Sequence, residues 1–354
     1  MSTSLRKTAI VTGVTGQDGA YLLQLLLSKG YRVHGTCRTV SDCWRLNELG
    51  LRHHPAFQLI KHDLSDLASC IALLDKVQPD EIYNLAAQSS VALSFDTPHD
   101  TVTHVGIGAL NLLESIRQVN RKIRYFQAST SEMFGKSRFS PQSEETPFHP
   151  CSPYAVAKLH AHWVTVNYRE SYGLFASSAI LFNHESPLRG HEFVTRKIAQ
   201  SAAQIALGTQ KILELGNLNA MRDWGYAKEY VEGMWQMLQT DEADTYVLAT
   251  NRSETVRDFV RMAFKGAGIE VEFSGTAENE TAIVTAHTSC RHTLTIGQTV
   301  MRINPTFYRP LEACVMRGDP TKANKKLGWA PQCTLEDLCQ MMVSADFKRY
   351  ELAA

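Results

Sequence analysis

The stretch that most limits what this chain can become is K-T-A-I-V-T-G-V-T-G-Q-D-G, residues 7–19. Lys7 to Thr12 is a short apolar strand, and Gly13, Gly16 and Gly19 follow it at once. Beyond them Tyr21, Leu22, Leu23, Leu25, Leu26 and Leu27 are the apolar residues of a helix. Strand, glycine turn and helix in that order form a dinucleotide fingerprint. The first glycines admit a pyrophosphate to backbone N–H groups, the last lets helix pack on strand, and the helix N-terminus favours the negative charge.

Further apolar runs at Arg32 to Thr36, Phe57 to His62, Glu81 to Ala86, Ile123 to Ala128 and Phe175 to Leu181 alternate with helical segments. That alternation predicts an α/β fold built on a doubly wound parallel sheet of the Rossmann type. The run ending at Ala128 is followed by S-T-S-E-M-F-G, which sets Thr130 and Glu132 at the carboxyl end of a strand, where open α/β sheets do their chemistry. Downstream, S-P-Y-A-V-A-K places Tyr154 and Lys158 four residues apart, on one face of a helix. An ammonium beside a phenol favours the phenolate, so Tyr154 is expected to serve as a base near neutral pH.

Arg38 stands where the acidic ligand of an adenosine ribose would be, and an arginine suits a 2′-phosphate, which leans toward NADP. Asp63 ends the third strand as a candidate partner for adenine, and Ala87 to Ser90 extend the fourth toward the cofactor ribose. Asn183 and His184 sit past another strand, with His184 read as a positioning group. Arg189, His191, Arg196 and Lys197 form a basic cluster expected to contact phosphate. Residues 274–300 lack clear periodicity and read as a long loop or hairpin. His287 and His292 there have no partner at ligand spacing, so no metal is expected.

Composition excludes several classes. With 36 basic and 36 acidic side chains the chain has no bias toward nucleic acid, and an anionic ligand needs a local site. The eight cysteines contain no C-x-x-C, which fits a reducing cytoplasm better than a disulfide framework. No signal peptide is expected, and no apolar run approaches the roughly 20 residues that span a bilayer.

The stretches G-V-T-G-Q-D-G-A-Y-L, N-L-A-A-Q-S, Q-A-S-T-S-E-M-F-G, S-P-Y-A-V-A-K-L, F-N-H-E-S-P-L-R-G, F-V-T-R-K, G-N-L-N-A-M-R-D-W-G and F-Y-R-P cover most of the chain. Together they resemble the extended short-chain dehydrogenase/reductases and, within them, the GDP-mannose 4,6-dehydratase family. The resemblance implies Thr130, Glu132, Tyr154 and Lys158 as the catalytic set. It implies tightly bound NADP, recycled in each turnover and held by Gly13, Gly16, Gln17, Asp18, Gly19, Arg38, Asp63, Leu64, Leu85, Ala86, Tyr154, Lys158, His184 and Arg189. It implies a GDP-sugar held by Ser89, Glu132, Asn183, Val194, Lys197, Gly216, Arg222, Arg309 and Glu312. Two intertwined lobes are also implied: a dinucleotide lobe of residues 1–185 joined by 217–250, and a smaller α/β substrate lobe of 186–216 and 251–354. A homodimer or homotetramer is expected. The chain departs from the family at Thr39, where a second arginine is usual, and at R-P-L-E-A-C around Glu312.

These residues fit a redox-neutral elimination giving a 4-keto-6-deoxy sugar. Alternatives are the same reaction on another GDP-sugar such as a GDP-heptose, or a nucleotide-sugar epimerase or 4-reductase. A more distant one is a non-catalytic NADP-binding sensor.

Overall fold

In the computed structural model, residues 6–40, 43–288, 294–307 and 315–351 are described. The strands are β1 (Thr8–Thr12), β2 (Arg32–Cys37), β3 (Phe57–Lys61), β4 (Glu81–Asn84), β5 (Arg124–Thr130), β6 (Ala176–Leu181), β7 (Asn183–Glu185) and β8 (Leu213–Leu215). They continue with β9 (Met221–Arg222), β10 (Trp224–Tyr226), β11 (Thr245–Leu248), β12 (Glu254–Thr255), β13 (Ile269–Ser274), β14 (Thr281–His287) and β15 (Thr299–Ile303).

Seven strands form one parallel sheet in the order β11-β6-β5-β4-β1-β2-β3. The order reverses beside β1, which leaves a crevice at the carboxyl ends of β1 and β4. The strands are apolar because helices cover both faces: Ala9, Ile10, Val11, Ile82, Tyr83, Tyr125 and Phe126 have no measurable exposure. Polar residues that enter this core are hydrogen-bonded to one another. Thr12 Oγ1 donates to Asn84 Oδ1 at 2.7 Å, and Asn84 Nδ2 donates to Gln127 Oε1 at 2.9 Å. This relay joins the ends of β1 and β4 to the middle of β5, fixing the floor of the crevice.

A second sheet, β13-β14-β15-β8, packs against the helices Val194–Ala206, Val256–Gly266 and Leu335–Glu351 around its own apolar cluster. The loop or hairpin expected over 274–300 is therefore partly regular. Ala282 and Val284 of β14 are buried, and β13 and β14 form an antiparallel hairpin. Register shifts between Glu270 and Val271 and between Ala282 and Ile283 break the alternation that would have revealed these strands. His292 lies outside the described residues.

The helical segment ahead of β5 opens as a π-helical turn, Val102–Ile107, before the α-helix Gly108–Val119. Among the described residues no helix is long and apolar enough to cross a membrane, no group of His, Cys, Asp or Glu could hold a metal ion, and the cysteines are free.

Candidate active site

The crevice opens into a cleft of about 1290 Å³ that runs from the glycine turn to the second sheet. That exceeds the usual size of a pocket for one small ligand, about 300–1,000 Å³, and leaves room for two. At one end lies the glycine turn. Gly13 has φ +67°, and a Cβ there would come within 2.9 Å of the Ala86 backbone; a Cβ on Gly19 would meet Gly13 O at 2.4 Å. Only glycine permits this approach of backbone to backbone, which leaves the turn open to a phosphate.

Beside it, Asp18 Oδ2 is 2.9 Å from His184 Nε2, while His184 Nδ1 lies 2.7 Å from the Phe182 carbonyl. A carbonyl can only accept, so Nδ1 carries a proton, and the carboxylate calls for a second one on Nε2. Burial pushes the Asp18 carboxyl upward, but the His184 charge and hydrogen bond outweigh it and bring its pKa to about 2. His184 is thus an imidazolium held between two acceptors and stacked on Tyr230, which fits positioning and not base chemistry. Gln17 locks the same corner: its Nε2 donates to His184 O at 3.0 Å and its Oε1 accepts from Ser186 Oγ at 2.7 Å.

At the cleft's centre β5 ends in Thr130, whose Oγ1 accepts from Glu132 N–H at 3.2 Å and starts a tight helical turn. This local bond explains the T-x-E spacing, because it carries Glu132 around the strand end onto the cleft wall. Opposite, Ser152 caps the helix Pro153–Tyr172 by accepting from Ala155 N–H at 3.1 Å. The cap and Pro153 at the first position start the helix so that Tyr154 occupies its first turn and Lys158 the next. Both line the cleft and are nearly buried.

Among the described residues Lys158 makes no hydrogen bond to the Tyr154 hydroxyl, and its Nζ lies 5.8 Å from the centre of the Tyr154 ring. Burial dominates and holds the Tyr154 phenol above its ordinary value, against downward pulls from the Thr130 side chain within hydrogen-bonding reach and from Arg189. Lys158 Nζ instead donates to the Ala128 carbonyl at 2.8 Å, and burial lowers its pKa to about 8.

Toward the second sheet, Ser89, Asn183, Val194, Lys197, Gly216 and Arg222 all line the cleft. Lys197 Nζ sits 3.8 Å above the Phe307 ring, and Gly216 passes so close to Phe307 that a Cβ would meet its carbonyl at 2.7 Å. Arg309 and Glu312 lie outside the described residues. Of the basic cluster, Arg189, His191 and Lys197 line the cleft, with Arg189 beside Glu185 at 3.0 Å and over the Phe193 ring. Arg196 does not join them: it is buried against Asp346 at 2.6 Å, tying its helix to the C-terminal one. Leu85 lines the cleft; Leu64 is packed in the core, and the Ala86 N–H donates to Thr12 Oγ1. Arg38 is exposed at the end of β2, next to Asp63 and off the cleft wall.

A family model for GDP-mannose 4,6-dehydratase matches residues 10–342. The chain belongs to the GDP-mannose 4,6-dehydratase family. It is 49% identical over 351 residues to a GDP-mannose 4,6-dehydratase of Yersinia enterocolitica, covering 97% of this chain and 94% of the relative. To a member from Sinorhizobium fredii it is 48% identical over 348 residues, 96% of this chain and 97% of the relative. The fold is that of dTDP-glucose 4,6-dehydratase from Bacillus anthracis, solved with NAD, at a TM-score of 0.77 and 20% identity over 98% of each chain.

Motif reading named Thr130, Glu132, Tyr154 and Lys158, which line the cleft together, but it missed much of the wall. Arg45 lines the cleft and donates to the carbonyls of Leu188 and Thr15 at 2.7 and 3.2 Å. Gln204, Gln210 and Phe307 line its far end. Phe307 could have been found in F-Y-R-P; the others lie in stretches with no motif. The R-D-W-G motif divides its labour. Arg222 lines the cleft, while buried Asp223 accepts from Thr250 N–H, Thr250 Oγ1 and Gly318 N–H, at 2.9, 2.6 and 3.2 Å, and holds the loops behind it.

Proposed function

We propose that the chain is a GDP-mannose 4,6-dehydratase, a hydro-lyase that converts GDP-D-mannose to GDP-4-dehydro-6-deoxy-D-mannose without net redox change. The observation that carries this is Glu132, a carboxylate on the wall of a cleft that also holds Thr130, Tyr154 and Lys158. An epimerase or 4-reductase needs the hydroxyl, phenol and ammonium, but no carboxylate two residues beyond the threonine.

The open glycine turn supports a dinucleotide, with Gly13, Gly16 and Gly19 at the pyrophosphate, Asp63 and Leu64 near adenine, and Tyr154 and Lys158 near the nicotinamide ribose. NADP is the form proposed, with Arg38 and Arg189 near its phosphates. The chemistry a bound nicotinamide supplies is a reversible hydride store, used at C4 and then at C6 in each turnover.

Tyr154 takes the proton of the C4 hydroxyl, its phenolate stabilised by the Lys158 ammonium one turn away. Thr130 donates a hydrogen bond to the resulting 4-keto oxygen. The ketone acidifies the neighbouring C–H, and Glu132 removes the C5 proton, then delivers a proton to the departing C6 hydroxyl. Arg222, Lys197 and Asn183, with Arg309 and Glu312, hold the GDP moiety while this happens.

We further propose the two-lobed division along the two sheets, cytoplasmic action, and assembly as a homodimer or homotetramer. The exposed apolar side chains Val102, Ile107, Val156 and Trp163 on neighbouring helices support self-association. The test of function is to incubate the protein with GDP-mannose and a panel of other GDP-sugars and weigh the products. Loss of one water from GDP-mannose, without consumption of added NADPH, is the expected result. Stoichiometric NADPH consumption or an isomeric product of unchanged mass would overturn it.

A further inference from the structure

Glu185 is a carboxylate to which the reaction gives no step, buried beside the cleft at the end of β7. A buried charge needs partners, and this one finds two on a single oxygen. Thr195 Oγ1 donates to Glu185 Oε2 at 2.6 Å, and Arg189 Nε lies 3.0 Å from the same atom. One oxygen thereby ties the two ends of the segment 185–195 together and holds its middle.

The two partners belong to opposite ends of the cleft. The Arg189 charge acts on both Asp18 and Tyr154, which sets it toward the glycine turn. Thr195 lies in the first turn of the helix Val194–Ala206, between Val194 and Lys197, which line the cleft toward the second sheet. Phe193 gives that helix no side-chain cap. The Thr195–Glu185 bond ties its first turn to β7 and puts a carboxylate at the positive end of the helix dipole.

The Arg189 arm is only half made. Its Nε is buried and near Oε2, yet it is not aligned to donate and makes no hydrogen bond among the described residues. An unpaired buried donor is costly, and a small rotation of the guanidinium toward Oε2 relieves it. An anion that engages the outer nitrogens of Arg189 from the cleft supplies the cause for that rotation. The rotation then bears on the oxygen that holds Thr195.

We propose that Glu185 is a positioning residue that couples the two ligands of the cleft. A dinucleotide engaging Arg189 firms the start of the helix that offers Val194 and Lys197 to a GDP-sugar, and the sugar nucleotide returns the effect by the same factor. This rests on the reading of the cleft as a site for both ligands.

The test is equilibrium titration of the cofactor-stripped full chain with NADP, with and without saturating GDP, and with GDP, with and without saturating NADP. In wild type each should tighten the other by one common factor, about fivefold or more. Thr195→Val keeps the side-chain shape and the Glu185–Arg189 pair but removes the hydroxyl. It should bring the factor to within about twofold of unity, and Thr195→Ser should retain the wild-type factor. Glu185→Gln, which removes the charge that holds Arg189, should behave as Thr195→Val does. Melting temperatures separate a merely structural contact, whose loss lowers them and leaves the factor unchanged. Should Glu185→Gln fail to fold, the contrast of Thr195→Val with Thr195→Ser decides. Independent binding of NADP and GDP to wild type, or variants that keep its factor, would overturn the proposal and leave the dehydratase reading standing. Absence of binding by both nucleotides would overturn both.

Discussion

His162 should make the protein sensitive to acid in a calculable way. It lies one turn beyond Lys158 and is buried beneath β5, with Nδ1 2.9 Å from Ser178 Oγ and 3.3 Å from Ser129 Oγ. Ser129 directly precedes Thr130, so this contact ties the Tyr154 helix to the strand that carries the threonine. Burial, with a lesser push from the Arg169 charge, lowers the His162 pKa from an ordinary 6.5 to about 4. The folded state therefore keeps the ring neutral, while the unfolded chain takes up a proton below 6.5. Stability from this group is complete above pH 6.5, declines as pH falls, and levels off below about 4. A difference of about 2.5 pH units at about 1.4 kcal/mol each amounts to about 3.5 kcal/mol, a large part of the usual 5–15 kcal/mol. His162→Phe keeps a ring against Phe148 and Trp163 and leaves Ser129 and Ser178 bonded to each other at 2.9 Å. Urea unfolding of both proteins from pH 7.5 to 4.5 cancels the carboxylates they share. Wild type should lose about 2.5 kcal/mol relative to the variant over that range, which ends just short of the folded pKa; parallel curves would refute the reasoning.

Glu132→Gln should keep the fold and bind cofactor yet lower dehydration by about 10²–10⁴-fold, measured as 4-keto product per minute; a near wild-type rate would remove Glu132 from its role. Tyr154→Phe should stop the reaction earlier, with no transient reduced nicotinamide absorbance after mixing with GDP-mannose, whereas Glu132→Gln should still show it. Arg38→Ala should weaken NADP far more than NAD in equilibrium titrations of cofactor-stripped protein, and equal losses would show that Arg38 does not read the 2′-phosphate.

The parts of the fold legible in the sequence were those where backbone or short-range geometry is the constraint. Gly13 and Gly19 are glycine because another backbone occupies the space of a Cβ. Thr130 and Glu132 are two apart because one caps the other's N–H. Tyr154 and Lys158 are one helical turn apart, behind a Ser-Pro start signal. What was not legible depended on contacts between distant segments. Arg196 looked like one more phosphate ligand until Asp346, 150 residues later, took it into the core. The burial of Lys158 and its bond to Ala128 O come from β5, 30 residues earlier, and no spacing marks them. The Asp18–His184 pair joins residues 166 apart, and neither spacing nor composition marks it.

The central claim is that one site holds both an oxidation apparatus and an elimination base, so that hydride never leaves the active site. GDP-mannose deuterated at C4, mixed with unlabelled substrate, tests this directly. The account predicts product deuterated at C6 with no crossover between molecules, and a C5 position that takes up hydrogen from solvent through Glu132. Deuterium lost to solvent, scrambled between molecules or retained at C4 would contradict it.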